Sequence, residues 1–197
     1  MTYAIIGSGA IGTALATQFA RNDIGVLIAN SRGPASLADL VGRFGKNIKA
    51  TLVQEALKAD IVILAVPFGS VPETVRDAAA WNGRIVVDAT NAIDFPAFTP
   101  KDLGGQLSTD VVAGYVPGAR VVKAFNTLPA AVLASDPAKD GGRRVVFLSG
   151  NDVAAKAEIA TLAQKLGFSG IDLGKLADGR LAQFGGPLMV HNLIKHG

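Results

Sequence analysis

The first twelve residues hold the feature that most restricts the fold, a short apolar run followed at once by a glycine-rich turn. The run 3–6 (YAII) predicts a strand, and Gly7-Ser8-Gly9-Ala10-Ile11-Gly12 has the spacing G-x-G-x-x-G. In such a turn the first glycine permits a tight bend, the second lets a phosphate approach the backbone, and the third lets the following helix pack closely. The N–H groups and positive dipole end of that helix then favour an anion.

The context of this turn decides between a nucleotide site and a merely structural turn, which is the alternative for an isolated motif. A helix is predicted over Ala10–Arg21, and a second strand over Gly25–Ala29 follows at the expected distance. Strand, glycine turn, helix and second strand in this order are the setting of a dinucleotide site. The N-terminal segment is therefore predicted to cradle a pyrophosphate.

The rest of the chain alternates β-branched runs with helical stretches, which is typical of βαβ units and a parallel sheet. The run 59–66 is nearly all apolar, as expected of a central strand buried on both faces. We predict an α/β fold, a Rossmann-type doubly wound, mainly parallel sheet in a single domain over 1–197, with a C-terminal helical extension from about 175 to 197. Further strands are predicted at 48–50, 84–88, 120–125, 144–148 and, at an edge, 169–173; further helices at 34–44 and 152–166; and a loop at 89–107.

Composition excludes several other classes of protein. The 197 residues include no cysteine, so disulfides, thiolate nucleophiles and cysteine-ligated metals are ruled out. The net charge of +3 is dispersed, which disfavours a nucleic-acid partner. No apolar run reaches the roughly 18–20 residues of a membrane span, and no signal peptide is visible. We expect a soluble, cytoplasmic protein without a membrane partner.

The end of the second strand indicates which dinucleotide is bound. NAD sites place an Asp or Glu there, about 20 residues after the turn, to accept hydrogen bonds from the ribose. This chain has Asn30-Ser31-Arg32 and no carboxylate. A serine can donate to a 2′-phosphate, and an arginine can pair with it and stack on adenine. We therefore predict NADP(H), the alternative being that Arg32 is a solvated loop residue and Ser31 a helix cap.

Ligands of open α/β sheets bind beyond the carboxyl ends of the strands, so three further segments are candidates for the nicotinamide half. Asn91 and Asn126 are placed to orient a carboxamide or a ring edge, although asparagine is equally common as a backbone partner in turns. Asp88 is predicted to be structural rather than a catalytic acid. The candidate segments are Ala65-Val66-Pro67-Phe68, Asn91, and Asn126-Thr127-Leu128-Pro129.

No acid–base constellation and no cluster of metal ligands is visible in the sequence. The two histidines, His191 and His196, lie near the C-terminus and are expected at the surface. Alcohol dehydrogenation generally needs a positioned proton acceptor, whereas hydride transfer between two bound redox rings mainly needs proximity and alignment. We therefore predict no catalytic side chain and a reaction by juxtaposition of the rings.

Five segments of the sequence carry a resemblance to known proteins: IIGSGAIG (5–12), NSR (30–32), ILAVP (63–67), VVKAFNTLPA (121–130) and IDLGKLADGRLAQFGGPL (171–188). Together they resemble the coenzyme F420-dependent NADP oxidoreductase family, and they are also similar to the NADPH-binding domain of the six-transmembrane metalloreductases. The resemblance implies that Gly7–Gly12 with Asn30, Ser31 and Arg32 hold NADP, and that Asn126–Pro129 lies beside a second redox ring. Archaeal members have histidine where this chain has Asn126, so F420, FMN, FAD or another small acceptor stays open.

Members of this family commonly form dimers through their C-terminal regions, which implies a homodimer here. The apolar residues 188–190 and 193–194 are the candidate interface, with internal packing as the alternative. The predicted function is hydride transfer between NADPH and a flavin-like or deazaflavin acceptor. Two alternatives stay open: an imine or ketone reductase of the pyrroline-carboxylate or β-hydroxyacid type, which normally carries a long helical domain after the Rossmann unit, and a non-catalytic NADP sensor or electron-transfer module.

Overall fold

The computed structural model describes all residues, 1–197, and contains twelve strands and seven α-helices. The strands are β1 (Tyr3–Ile6), β2 (Val26–Ala29), β3 (Ile48–Ala50), β4 (Ile61–Leu64), β5 (Ile85–Asp88), β6 (Ile93–Asp94), β7 (Thr99–Pro100), β8 (Arg120–Lys123), β9 (Ala138–Lys139), β10 (Gly142–Gly150), β11 (Ser169–Asp172) and β12 (Ile194–Lys195). The helices are α1 (Ala10–Arg21), α2 (Ala38–Phe44), α3 (Val53–Ala56), α4 (Val71–Val75), α5 (Ser108–Tyr115), α6 (Ala130–Ala134) and α7 (Val153–Lys165). Short 3₁₀ turns include Pro34–Leu37, which precedes α2, and Leu176–Leu181.

The main sheet has the strand order β11-β10-β8-β5-β4-β1-β2-β3. All strands from β3 to β8 in this order run parallel, whereas β10 is antiparallel to β8 and parallel to β11. The chain leaves β1 toward β2 and β3 on one side and later returns to β4, β5 and β8 on the other. The turn after β1 therefore lies at the topological switch point, where such sheets bind their ligands. The predicted Rossmann-type, mainly parallel sheet is confirmed.

The two faces of the sheet are covered by separate apolar cores. Ile5 and Ile63 point into the core beneath α1, which includes Phe19, whereas Ile6 and Leu64 point into the opposite core, which includes Trp81. Because successive strand residues point to opposite faces, a strand covered on both sides must be apolar throughout. All four residues of β4 are buried, as its sequence predicts.

The C-terminal extension is helical only over the 3₁₀ turn Leu176–Leu181, so the prediction of a helical extension to 197 is wrong for most of its length. Gly185 has φ +86°, a left-handed backbone conformation that a right-handed helix does not contain, so the helix cannot continue through it. The chain instead makes turns and ends in β12, which pairs antiparallel with the start of β10.

Two further features of the chain bear on its surface. The predicted loop 89–107 contains a small antiparallel pair, β6 and β7, before α5 begins. Within the candidate dimer segment, Leu188 packs against Val145 and Phe147, whereas Val190 and Leu193 are 64% and 43% exposed.

No helix has both the length and the apolar character needed to cross a membrane.

Candidate dinucleotide site

The three glycines of the turn after β1 have different physical roles. Gly7 has φ +111°, and a Cβ there would lie 2.2 Å from the Ala65 carbonyl oxygen. A Cβ on Gly12 would lie 1.9 Å from the Gly7 carbonyl oxygen. A Cβ on Gly9, by contrast, would meet no atom within 4 Å. The fold therefore requires glycine at 7 and 12, while the space in front of Gly9 is open.

The N-terminus of α1 opens onto this space. Gly9 is its N-cap residue, no side chain caps the first turn, and that turn contains no acidic residue. The first N–H groups of a helix have no partner within it, and the helix dipole makes this end positive. Uncapped donors beside an open, side-chain-free position fit a pyrophosphate group.

Asn30 connects the glycine turn to the loop that follows β2. Its Nδ2 donates to Ser8 Oγ at 2.9 Å and to Ser36 Oγ at 3.0 Å, and its Oδ1 accepts from the Arg32 backbone N–H at 3.0 Å. Neither Ser31 nor Arg32 has a polar partner for its side chain, and both are exposed. Asn30 thus shapes the loop, and the hydroxyl and guanidinium beside it are available to a ligand.

A cavity of about 590 Å³ brings most of the predicted cofactor-binding residues together. A more open depression of about 700 Å³ near β9 and the C-terminus contains none of them, so we assign the cofactor site to the smaller cavity. Ala10, Ile11 and Gly12 lie beside it in α1, and Phe68 packs against the core instead of lining it. The predicted residues in the wall are Gly7, Ser8, Gly9, Asn30, Ser31, Arg32, Ala65, Val66 and Pro67.

The cavity has two further walls that the sequence did not indicate. The segment at the start of α3 and the segment around α4 contribute apolar, hydroxyl and carboxylate side chains. Their position depends on how the segments after β3 and β4 fold back over the switch point, for which no local motif exists. These residues are Leu52, Val53, Gln54, Leu57, Ser70, Glu73, Thr74 and Asp77.

At the carboxyl ends of β5 and β8, Asp88 and Lys123 form a buried ion pair with an O–N distance of 2.9 Å. Asp88 Oδ1 also accepts from the backbone N–H and the hydroxyl of Thr90, at 2.9 and 2.7 Å. Asp88 is completely buried and fully hydrogen-bonded, which agrees with a structural role. Its partner Lys123 follows two buried or nearly buried valines at the end of β8, a signal that sequence reasoning did not use.

Asn91 and Asn126 are paired with each other rather than with the cavity. Asn91 Nδ2 donates to the Asn126 carbonyl oxygen at 2.9 Å, and Asn126 Nδ2 donates to Asn91 Oδ1 at 3.1 Å. Asn126 Nδ2 also donates to the Ala182 carbonyl oxygen at 2.7 Å, and the Val190 N–H donates to the Thr127 carbonyl oxygen at 2.9 Å. The C-terminal segment therefore packs on this edge of the sheet.

The predicted acceptor segment consequently lies outside the cavity wall. Asn126, Thr127 and Leu128 are only 2–3% exposed, whereas Pro129 reaches the surface. Asn126 Oδ1 is buried without any hydrogen-bond partner. This edge of the sheet is thus a covered polar cluster that lies next to the open, cofactor-sized cavity.

Comparison with known proteins extends these observations. Residues 2–92 match the family described as NADP oxidoreductase, coenzyme F420-dependent. Rat metalloreductase STEAP3 is 30% identical over 177 residues, covering 89% of this chain and 34% of that protein. The chain thus spans about a third of the length of the curated metalloreductases that it matches.

Two solved structures match nearly the whole chain. The hypothetical protein SMa0349 of Sinorhizobium meliloti is 58% identical with a TM-score of 0.97, covering 99% of this chain and 96% of that one. A protein of an Arthrobacter species, assigned as an F420-dependent NADP reductase, is 31% identical with a TM-score of 0.76, covering 91% and 87% of the two chains. Together with the glycine turn, the open helix N-terminus and the carboxylate-free NSR loop, these matches show that the chain belongs to the coenzyme F420-dependent NADP oxidoreductase family.

Proposed function

We propose that this NADP-dependent oxidoreductase transfers hydride between NADPH and a flavin-like or deazaflavin acceptor. The observation that carries the proposal is the joint placement, in one cavity, of the open space at Gly9 and the unpaired side chains of Ser31 and Arg32. The first fits a pyrophosphate and the second a 2′-phosphate. A carboxylate at the end of β2, which would repel that phosphate, is missing.

Each part of the cavity then has a defined task in binding. The N–H groups of α1 bind the pyrophosphate, because they have no partner within the helix. Ser31 donates to the 2′-phosphate, and Arg32 forms a charge-assisted contact with it. Asn30 keeps this loop in place through Ser8 and Ser36. The backbone of residues 65–67 borders the route toward the nicotinamide half.

Bound NADPH would supply a hydride, and reduction of a flavin or deazaflavin consumes that hydride and one proton from solvent. The protein then needs only to align the two rings and exclude competing reactions. We place the acceptor at the edge formed by Asn126–Pro129, of which Pro129 is at the surface. The three buried residues shape this edge in the present conformation, and they contact the acceptor only if the segment 182–190 moves.

The identity of the acceptor is supported by the relatives rather than by the cavity. The Arthrobacter protein is assigned as an F420-dependent reductase, and the family description names the same coenzyme. The metalloreductases are matched over only a third of their length. They are therefore equally compatible with an NADPH-binding unit whose acceptor is not a deazaflavin. We therefore propose a deazaflavin first and FMN or FAD second.

The test is NADPH oxidation by the purified protein with F420, FMN, FAD and a cyclic imine supplied one at a time. We expect saturable turnover with F420 or with one of the two flavins. Turnover with the imine alone would overturn the proposed acceptor class. Tight NADPH binding without turnover of any acceptor would show a sensor or electron-transfer module instead. The control is the Gly9→Val protein, which should be inactive with every acceptor.

A further inference from the structure

The buried ion pair between β5 and β8 has no part in the cavity, although it lies next to it along the sheet. Asp88 and Lys123 are directly opposite each other in the parallel pairing of the two strands. Their side chains are 0% and 1% exposed. Two charges removed from water lose much hydration, and well-packed apolar residues often stabilise a core equally well. The charged pair therefore calls for an explanation beyond core stability.

Hydrogen bonds to Thr90 provide that explanation, because they are directional where apolar packing is not. Asp88 Oδ1 accepts from the Thr90 N–H and hydroxyl, and Lys123 Nζ donates to the Thr90 carbonyl oxygen at 3.0 Å. The carboxylate and the ammonium thus hold both backbone groups of one residue. Thr90 itself is buried, with 2% of its surface exposed. The turn after β5 is fixed by this pair.

Asn91, the residue after Thr90, connects the turn after β5 to the residues that follow β8. Asn91 follows Thr90 directly and exchanges two hydrogen bonds with Asn126. Asn126 follows Phe125, which has φ +62°, a conformation that is strained for an aromatic residue. Both protons of Asn126 Nδ2 are used, while Oδ1 is buried without a donor. A strained backbone and an unsatisfied acceptor persist only where the surroundings hold them in place.

The segment 171–188 covers the ion pair through its 3₁₀ turn, Leu176–Leu181. A Cβ on Gly179 would lie 2.5 Å from Ser149 Oγ and 3.8 Å from Lys123 Cδ. Ser149 is the cross-strand neighbour of Lys123 in β10, and its hydroxyl is buried without a partner. Glycine at 179 lets the 3₁₀ turn lie close over the lysine, whereas a side chain there would displace the Ser149 hydroxyl. The segments 121–130 and 171–188 are therefore two parts of one packed unit.

We propose that Asp88 and Lys123 are positioning residues, which fix the Thr90–Asn91 turn and through it the Asn91–Asn126 amide pair at the edge where hydride is transferred. The location of the transfer rests on the proposed function, whereas the ordering of the turn does not. Neither residue lines the cavity assigned to NADPH. Loss of the pair should therefore lower the rate of hydride transfer much more than the affinity for NADPH.

The test variant removes both charges at once, because a single substitution would leave one buried charge unpaired and could prevent folding. It is Asp88→Asn with Lys123→Met. The chain offers a control for the two side-chain changes in the exposed ion pair Lys139–Asp140, 3.5 Å apart, which lies outside both segments. The control is Asp140→Asn with Lys139→Met.

Three measurements are made on both double variants: kcat and KM with the acceptor that turns over, the Kd of NADPH by calorimetry, and amide hydrogen exchange of peptides covering 88–93 and 124–129. For the test variant we expect kcat to fall about 10- to 100-fold, since small misplacements are costly in transfer reactions. We expect the Kd to change less than about threefold and exchange in both peptides to quicken at least about tenfold. The control should retain wild-type values of all three.

An unchanged kcat, or an equal loss of kcat in the control, would overturn the positioning role. If the wild-type protein turns over no acceptor, the proposed function fails by itself, and hydrogen exchange decides the inference alone. In that case faster exchange confined to the two peptides of the test variant supports the inference. Unchanged protection there overturns it.

Discussion

The substitution Gly9→Val tests the ligand-binding role of the glycine turn separately from its role in folding. The backbone at Gly9 has φ −73° and ψ −166°, an extended conformation that valine adopts readily, and a Cβ there meets nothing within 4 Å. The expected loss is that of a weaker N-cap, about 1 kcal/mol. For a chain of this length, that corresponds to a fall in Tm of roughly 2–4 °C.

The effect of the same substitution on binding should be far larger. The valine side chain would occupy the space through which the pyrophosphate approaches the N-terminus of α1. Hydrogen bonds to charged groups contribute about 1.5–3 kcal/mol each, and displacing the anion from two N–H groups removes about 3–6 kcal/mol. The Kd should therefore rise about 10²- to 10⁴-fold, for NADPH and NADH alike. Titration calorimetry measures this rise, and thermal unfolding verifies the fold.

Two further glycines provide the controls for this experiment. Gly42→Val, in exposed α2 where a Cβ also meets nothing within 4 Å, should bind both dinucleotides like the wild type. Gly12→Ala should instead fail to fold, because its Cβ would lie 1.9 Å from the Gly7 carbonyl oxygen. A folded Gly9→Val protein whose NADPH affinity stays within about threefold of wild type would refute the pyrophosphate assignment.

Three other outcomes are expected. Arg32→Ala should weaken NADPH about 10- to 100-fold in calorimetry and leave NADH nearly unchanged, since one charge-assisted phosphate contact of about 1.5–3 kcal/mol is lost; equal losses for both dinucleotides would contradict this role. Hydrogen bonds from the backbone and hydroxyl of Thr2 lower the pKa of Asp60, because they stabilise its charged form in the folded protein. The charged carboxylate therefore contributes to the free energy of unfolding at neutral pH, and this contribution is lost as the pH falls through the lowered pKa. Asp60→Asn should therefore reduce the free energy of unfolding at pH 7 in denaturant titrations, with the difference from wild type shrinking on acidification; a constant difference would contradict the linkage. If the exposed Val190 and Leu193 form the proposed homodimer interface, changing both to glutamate should give a monomer in light scattering while the wild type is a dimer, and a monomeric wild type would exclude that interface.

Much of the sheet could be predicted because its signals are local. The β-branched runs ended by glycine, proline or polar residues locate the main parallel strands within about two residues of their observed bounds. Once these strands are parallel, the segments 7–9, 30–32 and 65–67 must meet at one edge, which is why the sequence located them in one cavity.

The remaining parts depend on tertiary contacts that no local pattern contains. The C-terminal segment has a helical composition, yet the left-handed backbone at Gly185 diverts it, and its Val190 N–H donates to the carbonyl oxygen of the distant Thr127. Likewise Asn91 and Asn126 were each recognised separately as strand-end residues. Their reciprocal pairing depends on the observed register of β5 and β8, which brings the ends of these two strands side by side.

The proposed function depends most on selection of a phosphorylated dinucleotide by the side chains of Ser31 and Arg32. Titration calorimetry of the wild-type protein with NADPH and, separately, with NADH tests this directly. We predict one site that binds NADPH at least about tenfold more tightly than NADH, as one charge-assisted phosphate contact requires. Equal affinities, or no binding heat with NADPH over a range of temperatures, would contradict it.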